Sequence, residues 1–196
     1  MQWRWLFLLP LAWGVWNHWH GRPVVHDPGM LVSTQPVQTA LDTAVTRLAR
    51  PGYRITPLES FSLDARVLAT ERYRFDRGAD LSPVDWVLGW GPMSDQAVLD
   101  RIDISQSGRF YSWHVKEFPI PRREIETHSA NMHMIPASSQ VEHQLLGIRP
   151  GQIVTLAGYL VEVRATDGWR WRSSLTRDDT GSGACELIWV EKVEAR

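Results

Sequence analysis

With 196 residues and a formal net charge of −1, the chain is long enough for one domain with a real core. It has no basic excess with which to neutralise phosphates, so nucleic acid is not expected as a partner. Hydrophobic residues make up 43% and charged residues 22%, which excludes wholesale disorder. The single cysteine, Cys185, excludes an intrachain disulfide, so packing alone must hold the domain.

Residues 1–21 open with Arg4 as a short positive region, and Trp5 to Trp16 form an uncharged apolar run. Ala12-Trp13-Gly14 has the small-x-small form of a signal cleavage site. Trp3 and Trp5 at one end and Trp16 and Trp19 at the other resemble two interfacial belts. This placement favours an uncleaved hydrophobic anchor helix, with a cleaved signal as the alternative. Either way Arg4 stays inside, and the domain is expected in the periplasm, tethered to the bacterial inner membrane or soluble after cleavage. Residues 22–35 are rich in Pro, Gly and short polar residues and read as a linker. Residues 36–196 read as a single globular domain.

Val37, Leu41, Ala44, Val45 and Leu48 form an apolar stripe that predicts a helix from Pro36 to the Pro51-Gly52 stop. Alternation of Phe61, Leu63, Ala65, Val67 and Ala69 predicts a strand over 60–71. Ser82-Pro83-Val84-Asp85 fits a helix cap, so a short helix is expected up to Gly89–Gly91. Ser94 begins another brief helix through Ile102, and residues 109–116 read as a strand. Ser139 to Glu142 reads as a capping box for a helix ending near Gly147. Residues 152–164 predict a long strand bent at Gly158, and Asp167-Gly168 predicts a hairpin turn. Trp169, Trp171 and Ser173 then alternate with Arg170, Arg172 and Ser174, and a last strand covers 184–193. These elements predict an α+β, mainly β fold. A small curled antiparallel sheet or an OB-like barrel (the oligosaccharide/oligonucleotide-binding type) would carry a few short helices.

Three strings, ARVLATERYRFDRGADLSPVDWVLGWGPMSD at 65–95, HSANMHMIPA at 128–137 and SSLTRDDTGSGACE at 173–186, carry a resemblance over most of residues 60–193. The chain resembles a widespread family of bacterial envelope proteins of uncharacterised function. The resemblance implies an envelope location and supplies no activity or site residues.

Four constellations are chemically suggestive. Trp90, Trp169 and Trp171 with Arg170 and Arg177 could form an aromatic and cationic platform for sugars, peptides or an anionic headgroup. Ser129 as nucleophile, with His128, His133 or His114 as base and Asp178 or Asp179 as orienter, could form a hydrolytic triad. His128, Met132, His133 and Met134 could hold copper, although alternation in a strand would set His128 and His133 on opposite faces. Cys185 reads as a small buried hydrophobe, with a thiol nucleophile as the alternative. The leading expectation is a non-enzymatic, membrane-tethered periplasmic binding or assembly module without a cofactor. It would face an envelope protein or a cell-wall ligand. A small envelope hydrolase and a copper-binding protein are the alternatives.

Overall fold

Residues that alternate apolar and polar build strands with one face to bury, and such strands dominate the computed structural model, which describes residues 22–42, 48–176 and 185–196. The described residues hold β1 (Val37–Thr39), β2 (Leu48–Arg50), β3 (Tyr53–Arg72), β4 (Val84–Gly89), β5 (Asp103–Ser107), β6 (Phe110–His114), β7 (Ser129–Pro136), β8 (Ile153–Ala165), β9 (Arg170–Arg172) and β10 (Glu186–Ala195). A 3₁₀ turn at Gly91–Ser94 and three short helices complete them: α1 (Gln96–Leu99), α2 (Arg122–Thr127) and α3 (Ser139–Gly147). The protein is therefore α+β and mainly β.

The long β3 does two jobs. Its first two thirds pair antiparallel with β8 over Tyr53 to Arg66, and its end pairs antiparallel with β4 over Arg66 to Arg72. β4 continues antiparallel to β7, β7 runs parallel to β10, and β10 returns antiparallel to β8. The hydrogen bonds of these five strands thus close on themselves, which leaves no open edge within the circuit. The sheet is mixed, where an antiparallel one was expected. Register irregularities at Pro57/Glu59, Val67/Ala69 and Val190/Lys192 supply the curvature that closure needs. Gly158 sits against β10 so closely that an added Cβ would lie 1.9 Å from the Trp189 carbonyl oxygen. β1 and β2 pair with β3, β9 pairs with β8, and β5–β6 form a separate hairpin.

Side-chain alternation sorts the barrel residues into two clusters. Trp86, Leu88, Met132, Met134, Leu156, Leu160, Ile188 and Val190 fill the interior. Ile135, Val161, Val163, Leu187 and Trp189, one residue out of phase, pack outside under Leu81, Trp169 and Trp171. Each large side chain so buried is worth roughly 1.5–3 kcal/mol. Helix α3 carries Val141 and Leu145 onto the interior cluster. Its start is fixed by Ser138, whose side chain accepts from the Val141 N–H.

Residues 24–32, expected as linker, lie along the barrel. The Val24 N–H donates to the Pro150 carbonyl, His26 Nε2 meets the Gly151 carbonyl at 2.7 Å, and Val32 joins the interior cluster. Gly151, at φ +90°, is required here because a Cβ would meet the Val24 carbonyl oxygen at 1.9 Å.

Two expected helices are strands. The 36–50 stripe is divided between β1 and β2, with 43–47 outside the described residues, because both ends find backbone partners on β3. Cross-strand pairing outweighs a modest helical preference. The Ser82–Asp85 cap motif precedes no helix either. It leads into β4, which is buried on both faces and has hydrogen-bonded neighbours on both sides. The 94–102 helix shrinks to the 3₁₀ turn and α1, capped by Asp95. The N-terminal hydrophobic helix falls outside the described residues. Among the described residues no helix is long and apolar enough to cross a membrane.

Candidate functional site

The outward positions of β4 and β7 should be exposed or apolar, yet they bury polar groups. Asp85 and His133 stand directly opposite in the β4–β7 register and are 0% and 3% exposed. His133 Nδ1 lies 2.8 Å from Asp85 Oδ2. A carboxylate oxygen is an acceptor only, so this contact favours a proton on Nδ1. The two atoms are not aligned for a strong hydrogen bond, and the attraction is mainly electrostatic.

Arg109 completes the network from the β5–β6 turn. Gly108 and Arg109 both take positive φ, +59° and +71°, as a tight hairpin turn demands. For arginine that conformation is costly and must be held by its surroundings. They do hold it: the Arg109 N–H donates to the Tyr73 hydroxyl at 2.9 Å, and Asn131 Nδ2 donates to the Arg109 carbonyl at 2.9 Å. The guanidinium then reaches back over the barrel. Nη1 donates to Asp85 Oδ1 (2.9 Å), Nε and Nη2 clamp Asp76 (3.0 and 2.8 Å), and Nη2 also reaches the Ser82 carbonyl (3.0 Å). It stacks 3.9 Å from the Tyr73 ring centre. Burial, and secondarily the Asp85 charge, push the Tyr73 hydroxyl up to about 12. Partial burial pulls the Asp76 pKa upward, but the hydrogen bonds and charge of Arg109 outweigh it and hold that carboxyl below its usual range.

Beside this network lies a pocket of about 480 Å³ walled by Trp169, Trp171, Phe110, His133, Arg109 and Gly78. Trp171 is wedged into it: its ring centre is 4.6 Å from the His133 ring, 5.7 Å from the Trp169 ring at 66°, and 5.2 Å from the Arg109 guanidinium. Gly78 leaves room for it, since a Cβ there would come 2.9 Å from Trp171 Cζ3. Trp169 contacts Tyr53 edge-on and carries the Arg77 guanidinium at 5.3 Å, which is itself paired to Asp167 at 2.5 Å. His133 Nε2 hydrogen-bonds to no described residue. Cys185 also lines the pocket, with Sγ 3.9 Å from Asn131 Nδ2. A second cavity of about 540 Å³ shares the Phe110 and Cys185 walls and extends between β6 and α2.

The structure brings Trp169, Arg170 and Trp171 of the expected platform to one pocket and places Trp90 elsewhere. Trp90 is 1% exposed and belongs to the interior cluster. Arg170 borders the pocket, and its guanidinium meets Glu162 at 2.6 Å together with Arg164 and Arg172. Arg177, Asp178 and Asp179 lie outside the described residues.

The hydrolytic set does not assemble around Ser129. Its hydroxyl donates to the Ile125 carbonyl at 2.7 Å, while His128 is paired with Glu124 at 3.1 Å and packs on Gly91. His114, exposed on β6, borders the same cavity of about 540 Å³ as Ser129, but no hydrogen bond joins the two. The copper set is divided by strand alternation, because Met132 and Met134 point into the barrel and His133 points out. Among the described residues no group of three or more His, Cys, Asp or Glu is placed to hold a metal.

Asp85, Arg109, Asp76, Tyr73 and Gly78 escape a sequence reading. Asp85 is masked by its resemblance to the third residue of a helix cap, and Arg109 by being one arginine among many. Comparison of the chain with family models, with curated proteins and with solved structures returns no match.

Proposed function

We propose that this protein is a non-enzymatic binding module, tethered to the bacterial inner membrane by its N-terminal segment, with its domain in the periplasm. Its ligand enters the pocket walled by Trp169 and Trp171. One observation carries the reading: where the pocket sits on the strand circuit. Taken in chain order, the circuit β3, β4, β7, β8, β10 has the first strand paired to the second and fourth, and the third parallel to the fifth. A helix lies between the third and fourth. That is the arrangement of an OB-type barrel, which binds its ligands on the face of the second and third strands, between the first–second and fourth–fifth loops. Here those strands supply His133, with Asp85 behind it, the first loop supplies Arg77 and Gly78, and the last connection supplies Trp169 and Trp171. The envelope location rests on the 1–21 sequence and on the family resemblance.

A second reading, a small envelope hydrolase, is supported by His133. Asp85 holds its Nδ1 while Nε2 stays available at the pocket, as a general base requires. Asp85 then takes the orienting role expected of Asp179. The deciding experiment places a photo-crosslinking amino acid at Phe110 or, as control, at exposed Gln144 on α3 in the full chain, and irradiates intact cells. An adduct of defined mass at Phe110 and none at Gln144 is expected. Equal labelling at both positions, or none, overturns the pocket assignment, and an adduct that carries a cleaved ligand moves the weight to the hydrolase.

A further inference from the structure

We infer that the ligand of this pocket is an uncharged saccharide, seated on Trp169 and Trp171 and hydrogen-bonded through a hydroxyl to His133 Nε2. The inference rests on the pocket being the binding site, and it follows from three features of its walls.

The first is charge. On the ring-bearing side of β9 the guanidiniums are those of Arg77 and Arg109, and they already meet Asp167, Asp76 and Asp85. Arg170 and Arg172 also border the pocket, and their guanidiniums meet Glu162. Each described guanidinium at the pocket thus already meets a carboxylate, and a phosphate or carboxylate would have to compete with an aspartate or with Glu162 for its arginine. Such paired groups keep lone pairs and N–H bonds free at their edges, and these suit hydroxyls.

The second is shape. Trp169 and Trp171 meet at 66°, so their faces form two walls of a cup, with Phe110, 52% exposed, nearby on the hairpin. Flat apolar ring faces of this kind pack against the C–H face of a pyranose, and the pocket volume of about 480 Å³ is that of a small-molecule site.

The third is the histidine. With Nδ1 turned to Asp85, Nε2 is the polar atom of this 3%-exposed residue that remains for a ligand. Nε2 therefore has its hydrogen-bonding capacity open to a ligand at the pocket. A hydroxyl satisfies it whether the ring is neutral or protonated, since it can donate or accept. A carboxylate matches only the protonated ring, and an ammonium only the neutral one.

The test uses the full chain in a zwitterionic detergent without sugar headgroups. N-acetylglucosamine tetramer, maltotetraose and a deoxythymidine decamer are titrated in turn, with calorimetry and the imidazole ¹⁵N signals of His133 as readouts. Saturable binding of at least one oligosaccharide, a shift of the His133 Nε2 signal, and no response to the decamer are expected. Trp169→Ala should weaken that binding about tenfold while the variant still unfolds cooperatively at a somewhat lower midpoint. A decamer that binds and shifts His133 while the oligosaccharides do not overturns the saccharide and leaves the pocket standing. If no probe shifts His133, the saccharide and the pocket assignment fall together.

Discussion

Both faces of β4 and β7 are buried, but only the outer one sets charged groups among its apolar residues. Inward, Trp86, Leu88, Met132 and Met134 are all at 0% exposure in an apolar interior. Outward, one residue out of phase, Asp85, Asn131 and His133 are at 0–3% and bind one another's neighbours through Arg109. The interior stabilises by removing apolar surface from water. The outer network does not gain in that way, because desolvating charges costs about as much as their pairing returns. A face that buries ions among its carbon is built for something other than stability. That contrast is the strongest reason to place the function there.

The sharpest way to break the contrast is to remove the shared partner. Asp85→Ala takes from Arg109 one of its two carboxylates and from His133 Nδ1 its partner, and is expected to cost about 3 kcal/mol or more in urea unfolding. If the loss is under about 1 kcal/mol, water reaches the network and the outer face is not the closed site described. On the inner face Met134→Ala removes packing alone and should cost about 3 kcal/mol. It should leave ligand binding at the pocket unchanged once the variant is folded. A binding defect equal to that of an outer-face variant would show that the two faces are not separable.

The barrel was legible in the sequence where the signals are local. Ser139 to Glu142 mark α3, although the cap proves to be Ser138, one residue earlier; Asp167-Gly168 marks the β8–β9 turn, and the alternation from Phe61 marks β3. It was not legible where a local signal competes with a distant partner. Pro36 and the Val37–Leu48 stripe predict a helix, but β3 claims both ends. Ser82-Pro83-Val84-Asp85 predicts another, but β3 and β7 flank it. The site divides in the same way. Trp169 and Trp171 are conspicuous as residues. By contrast, Asp85, Arg109 and Asp76 are joined only once the ring closes and the hairpin tip folds back. Trp90 was grouped with them because a tryptophan count cannot tell an inward ring from an outward one.

Gly78 gives a smaller lever on the pocket alone. Its missing Cβ is where Trp171 Cζ3 passes, and that ring is pinned by His133 and Arg109, so it cannot swing aside freely. Gly78→Ala is expected to cost about 1–2 kcal/mol through overpacking and to displace Trp171. The displacement would appear as a change in near-ultraviolet dichroism, with the inner-face signals of Met132 and Met134 unmoved in a methyl spectrum. An unchanged tryptophan environment would mean that Trp171 is not wedged, and the pocket would lose its fixed wall.

The smallest expected effect separates the Asp85 network from the other carboxylate cluster on the barrel. Glu162 accepts from Arg164, Arg170 and Arg172 at 2.6, 2.6 and 2.7 Å. Those hydrogen bonds lower its pKa from 4.5 to about 2. A carboxyl depressed in the folded state stabilises the fold above its unfolded pKa, and that contribution fades as pH falls from about 4.5 towards 2. The arginine side chains are 44–60% exposed, so solvent screening keeps the cluster to at most about 1 kcal/mol. Glu162→Gln should therefore lower stability slightly at pH 6 and by less at pH 3, narrowing the gap from wild type on acidification. The urea midpoints of the two proteins at both pH values measure this. Although Arg170 and Arg172 also border the pocket, their guanidiniums are held on Glu162, so oligosaccharide binding should be indifferent to the substitution. A variant that loses binding at pH 6 would make Arg170 and Arg172 part of the ligand's contacts and undo the charge argument for an uncharged ligand.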